Sequence, residues 1–320
     1  SGVAISLLQL RLAQAGAGDP SLLILVVPIF TGMIIGGFLS SAGRAELSEG
    51  RGGVATQLPW RCKQALVPSL LLFFSAALQS VSRSLCGAGM FTVIYAALPA
   101  FNGLLSYAVL GRVLSRRQWL CIAAVVGGLA ASTPLAEEVS LMGCWGFLLG
   151  LAGTILQSLS YVVSERLLKS PGAPKQASTL SAASGLNDLI LVAPWMLFYS
   201  APNLDALLFK PVVEKGLFSG EQVAVFWCLL VGANAIHMNA CYTLLRLSES
   251  VTLTMLQGVR VVAVFAFTGA LFCDDDSTHH CLSAQKAGGS AVVLLGFFFY
   301  AQGTAGLSKH VGGPGPRALQ

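Results

Sequence analysis

The 320-residue chain is 55% hydrophobic and only 10% charged, with a formal net charge of +5 and a mean hydropathy of +0.73. A water-soluble domain carries roughly 25% charged residues, so this chain cannot cover a water-facing surface and reads as an integral membrane protein with the lipid bilayer as its surroundings. Its basic residues are scattered among short loops, which argues against a nucleic-acid partner, and no Walker-type phosphate loop, zinc-protease helix or serine-hydrolase elbow points to an enzyme, a cofactor or a metal.

The opening stretch "SGVAISLLQLRLAQAG" has no basic start and no cleavage site after a central apolar core, so it reads as the second half of a helix rather than a signal peptide. A helix needs about 20 mostly apolar residues to cross a bilayer. Runs of that kind follow near 21–41, 64–83, 89–110, 118–134, 142–165, 179–200, 222–245, 250–272 and 284–305. With the truncated first helix they predict an all-α membrane protein of ten transmembrane helices. The longest polar stretches between them are 42–63 and 201–221.

Lysine and arginine in short loops favour the cytosolic side. One set of loops holds Arg44, Arg51, Arg61, Lys63, Arg112, Arg116, Arg117, Arg166, Lys169, Lys175 and Arg246, and the tail adds Lys309 and Arg317. The opposite set holds only Arg83, Lys210, Lys215 and Lys286, and carries most of the acidic residues. The alternation predicts both termini in the cytosol.

A weak internal repeat lays Phe91–Leu110 over Leu253–Phe272 without gaps, followed by matching Leu114-Ser115 and Leu282-Ser283 pairs and by Gly128 and Gly296 at equal spacing. The two copies start on opposite sides of the membrane, as in transporters built from inverted repeats. The expected halves are 1–134 and 142–305, each of five helices, with a cytosolic tail at 306–320. In this repeat Gln257 matches Tyr95, and Arg260 matches Leu98.

The ninth helix carries the most informative residue. Arg260 lies near its centre, where insertion of an arginine costs about 2.5–3.5 kcal/mol. Gln257, three residues earlier, shares its face. A buried guanidinium requires an anion or several acceptors: either a phosphate or carboxylate of a solute, or a structural partner such as Asp188 or freed backbone carbonyls. Asp188 follows Asn187 in the seventh helix, on a stripe with Ser181 and Ser184. It could couple protons, neutralise Arg260, or simply end a helix. In the sixth helix Gln157 and Tyr161 form a polar stripe with Ser164, opposite a row of small residues at Gly143, Gly146, Gly150 and Gly153 that reads as packing. Glu165 and Arg166 at that helix's cytosolic end suggest an interfacial charge pair or a gate. The eighth helix aligns Asn234, His237 and Cys241; the fourth offers Tyr95 and Asn102. The expected solute-binding set is Arg260, Gln257, Tyr161, Gln157, Asn234, His237, Asp188, Asn187 and Tyr95. The loop "CDDDSTHHC" suggests a disulfide between Cys273 and Cys281, with a metal site or free thiols as the alternatives.

Three stretches also resemble a known family. "FTVIYAALPAFNGLLSYAVLGRVLSRRQWLCIAAVVGGLAAS", "GTILQSLSYVVSERLLK" and "SESVTLTMLQGVRVVAVFAFTGALF" resemble the fourth to fifth, sixth and ninth helices of the drug/metabolite transporter superfamily, in its nucleotide-sugar-transporter-like solute carrier branch. Two departures stand out: carriers of the sialic-acid and galactose nucleotide type have a lysine where this chain has Leu98, and triose-phosphate-type carriers pair a lysine with the ninth-helix arginine that here is Arg260 alone. The resemblance implies alternating-access exchange of an anionic metabolite, most simply a nucleotide sugar against a nucleotide monophosphate, in a Golgi or ER membrane, with a homodimer left open. A carrier of cationic or zwitterionic solutes of the chloroquine-resistance type, with Asp188 as its key group, and a non-transporting membrane scaffold are the alternatives.

Overall fold

The computed structural model describes residues 1–17, 19, 21, 23, 25–40, 53–133, 141–170, 177–273 and 281–310. All regular structure among them is helical, in ten helices: α1 (Gly2–Gln14), α2 (Val27–Leu39), α3 (Leu58–Gly87), α4 (Met90–Leu110), α5 (Arg116–Ala131), α6 (Leu141–Lys169), α7 (Ala177–Lys215), α8 (Gly220–Leu247), α9 (Ser250–Phe272) and α10 (Ala284–His310). Six of them, α3, α4 and α6–α9, are long and apolar enough to cross a membrane, and α2 is a shorter apolar helix. The tail beyond 310, and the acidic residues expected in the loops 134–140 and 274–280, lie outside the described residues.

Several boundaries depart from the hydropathy reading, each for a backbone reason. The run at 21–41 forms a helix only over Val27–Leu39, because the chain turns before it at Leu23, the one described non-glycine residue with positive φ. The chain reverses between α3 and α4 at Gly87 (φ 75°), a conformation that L side chains rarely adopt. Inside α4, Pro99 removes an N–H and the helix breaks at Ala97–Leu98. The stretch 201–215, expected as a polar loop, continues α7 instead: two π turns, Met196–Ser200 and Asp205–Phe209, reset the hydrogen-bond register around Pro202 and Pro211 and keep the helix unbroken.

Small residues set the helix spacing. A Cβ on Gly146 would lie 2.8 Å from the Cys86 backbone N, and Ser75 and Ser82 of α3 donate to the Gly153 and Gly146 carbonyls at 2.8 Å each. The α3–α6 seam is therefore both close and hydrogen-bonded. The α5–α10 seam is reciprocal. A Cβ on Gly128 would meet the Gly289 carbonyl oxygen and Val293; one on Gly296 would meet the Cys121 carbonyl oxygen and Val125. Gln285 donates to the Ala131 carbonyl oxygen (2.7 Å) and Arg117 to that of Phe299 (3.4 Å).

One apolar core, around Phe30, Met33, Leu98, Leu180 and Leu245, joins α2, α4, α7 and α8; a second, around Ile122, Val125, Met255 and Val293, joins α5, α9 and α10. Large apolar side chains such as Phe198, Val213 and Leu120 face outward, as a lipid-facing surface requires.

Candidate functional site

Between α3, α4, α6 and α9 four polar side chains close a ring. Tyr95 donates to Gln257 Oε1 (2.5 Å), and Gln257 donates to the Tyr161 hydroxyl (3.1 Å). Gln157 donates to the hydroxyls of Tyr161 (2.8 Å) and Tyr95 (3.3 Å). Gln79 of α3 donates to Gln157 Oε1 at 2.7 Å and braces the ring from behind. The helical repeat predicts this convergence: Gln157 and Tyr161 are four residues apart, so both project from one face of α6. A small void of about 10 Å³ lies beside the ring, lined by Tyr95, Leu98, Thr254 and Gln257; it is the size of one water.

One turn from the ring, on the side that the charge alternation assigns to the lumen, stand two guanidiniums. Arg260, half-buried on α9, approaches His237 Nε2 at 3.5 Å, and its own Nε is buried without a hydrogen-bond partner. His237 is held on its other nitrogen by the Ser1 hydroxyl (3.5 Å), and its Nε2 also meets Cys241 Sγ at 3.6 Å. Arg83, four residues beyond Gln79 on α3, places its guanidinium 4.6 Å from the centre of the Phe91 ring, which stacks on Tyr95. Arg83 is accessible to solvent yet within electrostatic reach of both Tyr95 and Arg260. Neither guanidinium has a carboxylate partner among the described residues.

On the opposite side of the ring, one turn past Tyr161, the arrangement inverts. Glu165 is fully buried and fully met: Arg112 donates at 2.7 Å, Lys169 at 2.8 Å and the Ser250 backbone N–H at 2.7 Å. Arg112 also pairs with Glu249 at 3.4 Å, Lys169 reaches the Ser248 carbonyl, and the Ser106 and Ser250 hydroxyls meet at 3.3 Å. Burial lowers the Arg112 pKa, and the hydrogen bonds and charge of Glu165 more than offset this, leaving it above its ordinary value. This latch ties the α4–α5 loop to α6 and to the α8–α9 junction.

The structure thus brings together Arg260, Gln257, Tyr161, Gln157, His237 and Tyr95. It separates the other three expected residues from them. Asn234 donates to Leu230 of its own helix (2.8 Å) and packs against Gly32 in the α2–α8 seam. Asn187 donates to the Cys62 carbonyl (2.8 Å) and pins α7 to α3. Asp188 is buried on α7 with neither carboxylate oxygen hydrogen-bonded, so the pairing with Arg260 is not formed. Arg83 and Gln79 escape the sequence reading because hydropathy ends the third helix at 83 and counts Arg83 as a loop residue; the Ser75–Gln79–Ser82 spacing at i, i+4, i+7 marks the same polar stripe. Cys273 and Cys281 form a disulfide, and their intervening carboxylates and histidines lie outside the described residues.

Comparison with known proteins agrees with this layout. The chain is 24% identical over 245 residues to "Probable UDP-sugar transporter protein SLC35A4" of Danio rerio, a match covering 73% of this chain and 69% of that protein. A solved crystal structure superimposes with a TM-score of 0.70 at 17% identity, covering 95% of this chain and 96% of that one, which bears on the fold. Residues 21–301 match the Triose-phosphate Transporter family, so this multi-pass membrane protein belongs to that family of carriers, within the drug/metabolite transporter superfamily.

Proposed function

We propose that the chain carries a polar anionic metabolite, most simply a nucleotide sugar, by alternating-access exchange across a Golgi or ER membrane. The observation that carries this reading is the pair Arg83 and Arg260: a solvent-accessible and a half-buried guanidinium beside a hydrogen-bonding ring, with no carboxylate to neutralise them among the described residues. Buried charge is stable only when paired, and phosphate matches a guanidinium bidentately. The family and the relative above are both named for phosphate-bearing sugars, which are anions. Leu98, opposite Arg260 in the repeat, is buried in the apolar core, and a second cation comes instead from α3.

In this scheme Arg260 and Arg83 hold the negative group, while His237, Gln257, Tyr95, Gln157 and Tyr161 offer hydrogen bonds to the rest of the solute. The conformer is the one closed toward the cytosol, with the Glu165 latch as the inner gate. Two halves, 1–134 and 142–305, rock against each other around the ring. Their inverted relation is supported by the α5–α10 seam: Gly128 and Gly296 are equivalent in the repeat, and so are their partners Cys121 with Gly289 and Val125 with Val293. It is supported too by Tyr95 and Gln257, equivalent residues that bond to each other, as residues beside a two-fold axis do. The test is uptake into proteoliposomes by wild type, Arg260→Ala and Arg83→Ala. Loss of anion uptake by folded variants is expected; unaltered uptake would overturn the reading. Asp188 stands away from the chamber, so nothing in the geometry favours a cation-selective carrier built on it.

A further inference from the structure

Asp188 is the least compensated acid in the described structure. Its side chain has no solvent exposure, and both carboxylate oxygens lack a hydrogen-bond partner. On the same face of α7, Ser181 and Ser184 are fully buried, the Ser181 hydroxyl without a partner, and Ser164 of α6 is as deeply buried. The Tyr242 hydroxyl of α8 lies among Ser164, Ser184 and Asp188. Ser164 and Ser184 thus face Tyr242, whereas neither Asp188 oxygen has a donor, and an unmet acid is costly in an apolar interior.

The charged and titratable groups around it do not compensate it. From α8 comes Tyr242, neutral near pH 7. From α3 comes Cys62, whose thiol turns to the Ala183 carbonyl. The described part of α2 contributes no ionisable side chain. On α6 the neighbouring Glu165 is already taken by Arg112 and Lys169. An acid in this setting neutralises itself by binding a proton.

There is also a route to it. A half-polar cleft of about 260 Å³ opens between the ends of α2, α7 and α8, lined by Ser40, Ala177, Ser178, Asn239, Thr243 and Arg246. Ser178 begins the stripe that continues inward through Ser181 and Ser184 to Asp188, at three- and four-residue steps.

We propose that Asp188 is a proton-binding site separate from the solute chamber. Its carboxylic acid is neutral in this conformer and releases its proton, as hydronium, to water in the α2–α7–α8 cleft when that end of the bundle opens. The stripe of serines and Tyr242 is the path, and the proton enters and leaves through this one cleft, so the change of conformer responds to the pH of the side that the cleft faces. Intramembrane carboxyls are the usual carriers of such protons.

Infrared spectroscopy of the reconstituted protein at neutral pH tests this without any solute, so its outcome does not depend on what the carrier moves. A protonated-carboxyl C=O band is expected in wild type and absent in Asp188→Asn. Asp188→Glu, which keeps the acid one methylene further out, should shift the band, and it serves if the asparagine variant fails to fold. An imposed proton gradient should alter wild-type transport several-fold and leave Asp188→Asn transport unresponsive. A spectrum with no band attributable to Asp188, or an equal gradient response in wild type and Asp188→Asn, would overturn the proposal.

Discussion

The latch and the chamber lie one helical turn to either side of the same ring, and they treat charge in opposite ways. At the latch, a fully buried carboxylate receives donors from Arg112, Lys169 and the Ser250 backbone. In the chamber, Arg83 and Arg260 have no carboxylate among the described residues, and Arg260 Nε has no acceptor. Glu165 is fully buried, Arg260 is half-buried and Arg83 reaches solvent, and only the latch is complete in itself. A completed network holds a conformer together; the proposed function rests on the other case, in which unpaired charge of a single sign attracts a ligand of the other sign.

Removing the chamber's charges should have the largest effect. Arg260→Ala and Arg83→Ala are each expected to weaken anionic solute binding by about ten- to a hundred-fold, the worth of a hydrogen bond to a charged group, and together to abolish measurable uptake by folded protein. Next comes the latch. Arg112→Ala leaves Glu165 buried with Lys169 and the Ser250 N–H alone, and should cost about 1–3 kcal/mol. The readout is a lower melting temperature together with greater labelling of a cysteine placed near Ser250. A stable Arg112→Ala protein with unchanged labelling would mean that the latch is ornamental.

The packing seams sharpen the comparison further. Gly128→Val and Gly296→Val should each destabilise by about 1–3 kcal/mol through overpacking, Gly128→Val the more, because a Cβ there would lie 2.8 Å from the Gly289 carbonyl oxygen whereas one on Gly296 would lie 3.1 Å from that of Cys121; no loss of stability in either variant would count against the seam. Tyr95→Phe removes two ring bonds, the one given to Gln257 and the one accepted from Gln157, and should cost about 1–3 kcal/mol, seen as a fall in melting temperature. Smallest of all is Lys210→Ala. It breaks a pair whose side chains are 65% and 73% exposed, and no resolvable change in melting temperature is expected, as is usual for exposed pairs.

Much of this was legible in the amino-acid order, because the bilayer imposes a length and an apolar content on each spanning helix. Spacing at i, i+3 and i+4 correctly grouped Gln157 with Tyr161 and Gln257 with Arg260, since one helix fixes both members of each pair. Asn234 shows the limit of that method. It shares a stripe with His237, but periodicity does not say which neighbour a stripe meets, and two turns of α8 face different helices. Hydropathy also failed at the helix margins. Hydropathy assigns Arg83 to a loop because a charge looks like a terminus, whereas α3 continues to Gly87 and sets the guanidinium over Phe91. The polar stretch at 201–215 is not a loop but continues α7, where π turns absorb what Pro202 and Pro211 would otherwise break.

The most direct test of the central claim is thermal stabilisation of the purified protein by a panel of nucleotide sugars, nucleotides, inorganic phosphate and cationic amino acids, run on wild type and on Arg260→Ala. Binding to the folded state raises the melting temperature with ligand concentration. Phosphate-bearing anions should stabilise wild type and lose that effect in Arg260→Ala. Equal stabilisation of the variant, or stabilisation of wild type by the cationic solutes alone, would contradict the account.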